Sequence, residues 1–84
     1  MDAESLRDAT DAPSDRPCEL LDARDLPPPE PLRRTLERVP DLGATVLVQV
    51  NDRAPQHLYP RLDDRGVEYD TTETDAGVVT AVWR

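Results

Sequence analysis

Four of the five residues from Pro27 to Pro31 are proline, within the stretch LLDARDLPPPEP that spans residues 20–31. Proline lacks a backbone N–H and holds φ at about −65°. Such a run fits neither the ladder of a sheet nor the interior of a helix, so it must be a junction. The residues before it, CELLDAR (18–24), read as a short strand. The residues after it, PEPLRRTLERV (29–39), place Leu32, Leu36 and Val39 at i, i+4 and i+7, one face of a helix. Pro31 suits the first turn of that helix, where a missing N–H costs nothing. Glu30 is favourable at the positive end of the helix dipole. Strand, rigid turn and helix are thereby fixed in that order.

The remaining segments follow from local pattern. PDLG closes the first helix, and ATVLVQVN (44–51) is the clearest strand. Val46, Val48 and Val50 line one of its faces and Thr45, Leu47 and Gln49 the other, as a central strand requires. NDRAPQHLYPRLDDRG (51–66) reads as a turn, a helix with Leu58 and Leu62 as its buried stripe, and Gly66 as its stop. A proline inside a helix costs about 3 kcal/mol. The regular helix is therefore expected to begin late, near Pro55 or Gln56, with Pro60 at the end of its first turn. VEYDTTET (67–74) alternates as an edge strand, DAG turns, and VVTAVWR (78–84) returns to complete a hairpin. The order is βαβαββ: an α+β, two-layer α/β sandwich with a mixed four-stranded sheet. Right-handed crossovers put the two helices on one face, which leaves the other face to solvent or to a partner. Trp83 shares a strand face with Val79 and Ala81. It is read as core, or as an interaction surface if that face carries no helix.

Eighty-four residues make a single small domain, one that buries only about 60% of the surface its unfolded chain exposes. Residues 1–17 carry five acids and almost no large apolar side chain, which predicts a disordered acidic tail ahead of a domain at 18–84. Asp and Glu total 18 against 10 basic residues, for a net charge of −8, and every basic residue is Arg. A high acid load with Arg in place of Lys resembles the proteome of a salt-in halophilic archaeon, where molar salt screens self-repulsion to about 3 Å. The charge argues against a nucleic-acid partner. No apolar run approaches the roughly 18 residues of a membrane span, and the first residues lack a secretory core segment. The expectation is a cytoplasmic monomer without cofactors. The single cysteine, Cys18, excludes an internal disulfide and a cysteine-based metal cluster.

LDARDLPPPEPLRRTLERV resembles the opening of the SirA/TusA sulfur-carrier family, in which a strand leads through Cys-Pro-x-Pro into a helix. The resemblance implies the strand order 1-2-4-3 and a two-layer sandwich similar to the C-terminal domain of bacterial initiation factor three. The motif falls on Pro28, Pro29, Glu30 and Pro31. Three positions fit, but Pro28 stands where the persulfide-bearing cysteine belongs and offers no nucleophile. LPPPEP together with NDRAPQHLYPRLDDRG is more similar to the TusA-related domain of unknown function, family 2249, which also lacks that cysteine. That similarity implies an association with hemerythrin-like or nitrogen-oxide redox proteins.

If the first two strands are parallel, their carboxyl ends lie side by side, where open α/β sheets bind ligands. The loops there, 23–30 and 51–57, bring together Arg24, Asp25, Glu30, Asn51, Asp52, Arg53 and His57 beside two helix N-termini. Arg24 and Arg53 are candidates to clamp a small carboxylate, phosphate or sulfur oxyanion, with His57 as a titratable neighbour. The plainer readings are an Asp52 helix cap, an Asn51 turn and an Arg24 ion pair. Asp52 and His57 alone fall short of a metal site. The expected function is a non-catalytic domain that binds a partner protein or small anion. Two alternatives are a persulfide relay through Cys18 and RNA binding by analogy of fold. Cys18 lies ten residues before Pro28, near the opposite end of the sheet, and reads as a half-buried apolar residue.

Overall fold

The strand most legible in the sequence is the centre of the sheet. In a computed structural model describing all 84 residues, β2 (Val46–Asn51) lies between β1 (Cys18–Asp22) and β4 (Gly77–Trp83), with β3 (Glu68–Thr74) at the far edge, in the order 1-2-4-3. β1 and β2 run parallel, with Cys18 beside Val46 and Asp22 beside Val50. β4 is antiparallel to both β2 and β3. The fold is α+β with a mixed four-stranded sheet, as expected.

α1 comprises Ala3–Asp8, α2 comprises Glu30–Arg38 and α3 comprises Leu58–Asp64. α2 begins straight after the proline run, with Pro31 in its first turn, and continues as a single 3₁₀ turn at Val39–Asp41. α3 starts later than Pro55 or Gln56, so that Pro60 lies in its first turn, where no intrahelical donor is required. Its end is a Schellman motif. Gly66 takes φ +68°, its N–H bonds the Asp63 carbonyl at 3.1 Å, and the Val67 N–H reaches the Leu62 carbonyl at 3.3 Å.

α2 and α3 cover one face. There Leu47 and Val82 of the sheet pack with Val39, Leu42, Leu58, Leu62 and Val67, flanked by Leu21, Leu32, Leu36 and Tyr69. One polar pair lies within this layer. Gln49 is fully buried and its Nε2 donates to Thr35 Oγ1 at 2.8 Å, while its Oε1 has no partner. An unmet buried acceptor costs about 1–3 kcal/mol, whereas replacing both members of a pair by apolar groups is close to neutral. Thr35→Val alone is therefore expected to lower stability by about 1–3 kcal/mol. Adding Gln49→Leu should return it to the parent value or about 1 kcal/mol above. Urea unfolding of the three proteins at fixed KCl checks the pair, and equal losses in the single and double variants would contradict it.

The opposite face overturns an expectation. Val46, Val48, Val50, Val79 and Ala81 form a second buried cluster, and Leu6, Ala12, Cys18 and Trp83 pack against it. Residues 1–17 are thus not a disordered tail. α1 lies over the valine face, which is left neither to solvent nor to a partner, and Trp83 is part of its packing. Asp2 caps α1, its side chain accepting from the Glu4 N–H and the Ser5 hydroxyl, both at 3.1 Å. Arg7 is only 6% exposed; its Nη1 donates to the Arg16 carbonyl at 2.8 Å and lies 3.1 Å from Cys18 Sγ. The Asp11 N–H bonds Asp70 Oδ2 at 2.9 Å, and Arg16 Nη1 bonds the Arg84 carbonyl at 2.6 Å. A six-residue helix is unstable alone, so α1 owes its form to these anchors. No helix of the protein is long and apolar enough to cross a membrane.

Candidate functional site

The parallel pair brings two proline-bearing loops together at the carboxyl ends of β1 and β2. Between them lies a cleft of about 550 Å³. One wall is Pro28, Pro29, Pro31 and Leu32; the other is the run from Arg53 to Leu58. The Pro28–Pro29 peptide is cis. Thus Pro28, Pro29 and Pro31 of the degenerate motif form a wall of the cleft, and Glu30 does not.

Six of the seven polar residues at the loop ends, all but Asp25, separate into two groups. Arg24 belongs to a fork-on-fork pair with Asp22, Nε to Oδ1 at 2.9 Å and Nη2 to Oδ2 at 2.8 Å, and its Nη1 lies 3.4 Å from the Ala76 carbonyl in the β3–β4 turn. Its hydrogen bonds hold the Asp22 carboxyl below the usual carboxylate range. Asp25 and Asp52 also lie close enough to raise the Arg24 pKa, after the larger effect of Asp22. Arg24 does not reach the cleft, so the expected two-arginine clamp does not form. Glu30 accepts from Arg33 Nε at 2.6 Å and Nη2 at 2.7 Å, with Arg34 at 3.6 Å, and these cations depress its pKa, Arg33 foremost. Asn51 ends β2 and accepts the Asp52 N–H on its Oδ1 at 2.7 Å. Asp52 caps no helix, because α3 begins six residues later with His57 at its N-cap. Only Arg53 and His57 of the six line the cleft.

Arg53 differs from most cations of this acidic chain. Arg7, Arg24, Arg33, Arg34 and Arg38 all pair with carboxylates, including the two-point contact of Arg38 with Glu19 at 2.6 and 2.7 Å. Arg16, Arg65 and Arg84 donate to carbonyls. The Arg53 guanidinium has neither a carboxylate nor a carbonyl partner, and the His57 imidazole caps nothing. An exposed guanidinium at the rim of an apolar cleft supplies a planar, bidentate donor for an oxyanion.

The helix starts contribute less than their position promised. The Glu30 N–H is engaged with the Pro27 carbonyl at 2.9 Å, and Pro31 has none. In the second loop the Gln56 N–H bonds the Ala54 carbonyl and the Leu58 N–H the Pro55 carbonyl, both at 2.9 Å. Four of the ten lining residues are prolines. Sequence reasoning found Arg53, His57 and the proline turn, and singled out none of the other residues of the 53–58 wall. Ala54, Pro55, Gln56 and Leu58 carry no chemical signature, and Leu58 was assigned to the core alone, which it also serves.

Cys18 lies at the other end of β1, half-buried, its Sγ beside Arg7 Nη1 and 3.9 Å from the Arg16 carbonyl. It takes no part in the cleft. No three His, Cys, Asp or Glu side chains gather as metal ligands.

No curated protein and no solved structure matches the chain. The family model described as uncharacterized conserved protein DUF2249 matches residues 20–84, more than three quarters of the length, from the middle of β1 through both loops of the cleft to the last residue. By that match the chain belongs to the DUF2249 family.

Proposed function

We propose that the chain is a non-catalytic, TusA-like binding domain of a salt-adapted organism, whose cleft between residues 28–32 and 53–58 holds an anionic group of a small molecule or partner protein. The observation that carries this reading is Arg53, a cation without a counter-charge at the mouth of an apolar cleft in a chain of net charge −8. Pro28, which takes the place of the nucleophile in the sulfur-carrier pattern, supports the non-catalytic part of this reading. A role beside sulfur or nitrogen-oxide redox proteins is consistent with a domain that presents an anion without transforming it.

A titration of isotope-labelled full-length protein in molar KCl tests the reading. Acetate, phosphate, thiosulfate and nitrite are added in turn while amide resonances are followed. At least one is expected to give saturable shifts confined to 28–32 and 53–58. Arg53→Gln is expected to weaken that response at least tenfold, with the rest of the spectrum unchanged. Non-saturating shifts spread over all loops, or an unaltered response in the Arg53→Gln protein, would refute it.

A further inference from the structure

The geometry points to a ligand class narrower than "small anion": a monocarboxylate with an apolar body, its carboxylate on Arg53 and its hydrocarbon against Pro28, Pro29, Pro31 and Leu32. The inference rests on the binding reading above and specifies what that cleft accepts.

Three features lead to it. The first is the donor inventory. Phosphate and sulfate sites use convergent backbone N–H groups at helix starts and in nests. Here the Glu30, Gln56 and Leu58 N–H groups are engaged with carbonyls, and prolines remove four more from the lining. A tetrahedral oxyanion would lose those donors and rely chiefly on the side chains of Arg53 and His57, with one guanidinium between them. A carboxylate needs no more than one, because its two oxygens match the planar fork.

The second feature is charge. Arg53 is the one permanent cation of the lining, and its chain neighbour Asp52 is a carboxylate. One positive charge balances a monoanion, and a dianion would leave its second charge unmatched in a chain of net charge −8. His57 adds a hydrogen-bonding ring nitrogen at the same wall.

The third feature is the wall. Proline rings and the Leu32 and Leu58 side chains give an apolar surface along a volume of about 550 Å³, within the roughly 300–1,000 Å³ of small-molecule sites. A nitrite or acetate ion leaves that surface wet. A chain of several methylenes, or a single aromatic ring, removes it from water.

The test is calorimetry on the full-length protein in molar KCl with acetate, butyrate, hexanoate and benzoate, and with phosphate as comparison. Affinity is expected to rise roughly fourfold for each methylene buried, hexanoate and benzoate exceeding phosphate by at least tenfold. Arg53→Gln should reduce hexanoate binding at least tenfold, while Leu32→Ala should flatten the dependence on chain length. Circular dichroism confirms that both variants are folded, and if Leu32→Ala is not, Pro28→Ala replaces it. Affinities independent of chain length, or phosphate bound as tightly as hexanoate, would overturn the monocarboxylate proposal and leave the anion reading in place. No heat with any of the five ligands would overturn the monocarboxylate proposal, and no amide shift with thiosulfate or nitrite in addition would overturn both.

Discussion

Leu47→Ala is expected to destabilise the protein by about 2–5 kcal/mol, the range for removing a fully buried leucine side chain. Leu47 is inaccessible to solvent on the central strand, where it packs with the side chains that α2, α3 and their connections present to the sheet. An 84-residue domain has a total stability of about 4–13 kcal/mol at ~0.05–0.15 kcal/mol per residue. The substitution therefore removes a large share of it. Leu20→Ala is the control. Leu20 is 36% exposed on the edge strand β1, so its loss should cost less than about 1 kcal/mol. Urea unfolding followed by circular dichroism at fixed KCl separates the two, and similar midpoints would mean that the helix-side cluster is not the main core.

Gly77→Ala is the second large effect, and its cause is backbone geometry. Gly77 opens β4 at φ +129°, a conformation that L side chains rarely adopt, after a turn at Asp75 and Ala76 in which neither residue has positive φ. A Cβ at this position would stand 2.7 Å from the Asn51 carbonyl oxygen, a backbone atom held in the β2–β4 ladder. Strain at such a site costs about 1–3 kcal/mol, and the close approach raises the expected loss to about 2–4 kcal/mol. Gly43 and Gly66 also have positive φ, but a Cβ at either meets nothing within 4 Å. Alanine there carries only the left-handed penalty of about 1–2 kcal/mol. The expected order of midpoints places Gly77→Ala lowest. Because Asn51 leads into the 53–58 wall, the same variant should also shift the amide resonances of that loop. A Gly77→Ala protein as stable as Gly43→Ala would refute the clash.

The helix-side layer and the succession of elements were legible because each rests on a local signal, whereas the strand order was implied by the family resemblance. The proline run marks a junction, the β2 alternation marks a two-sided central strand, and Gly66 marks a helix end. Where reading failed, the cause was long-range. Residues 1–17 look unstructured because only Leu6 and Ala12 are apolar enough to pack, and their anchors, Arg7 to Cys18 and Arg16 to Arg84, span 11 and 68 residues. A pattern count within a window cannot register an arginine whose partners lie elsewhere. The candidate site failed in a different way. The chain fold brought Arg24, Glu30, Asn51 and Asp52 to the correct end of the sheet. Which charges remained available was then decided by pairings with Asp22, Arg33 and the backbone. Composition gives the ratio of acids to bases, and only the structure shows that Arg53, at the cleft, is among the bases without a carboxylate.

The seating of α1 on the valine face also separates two boundaries that are easily equated. The family match begins at residue 20, inside β1, while the packing unit begins at Ala3. A fragment trimmed to the family's limits would keep every strand but the first two residues of β1, and both walls of the cleft. It would lay bare Val46, Val48, Val50 and Val79 as a flat, greasy strip, and would lose Cys18 together with the Arg7 guanidinium beside it. In a protein whose other surfaces repel one another by charge, that strip is where self-association would start. The first seventeen residues thus serve as a built-in solubilising cap for the domain.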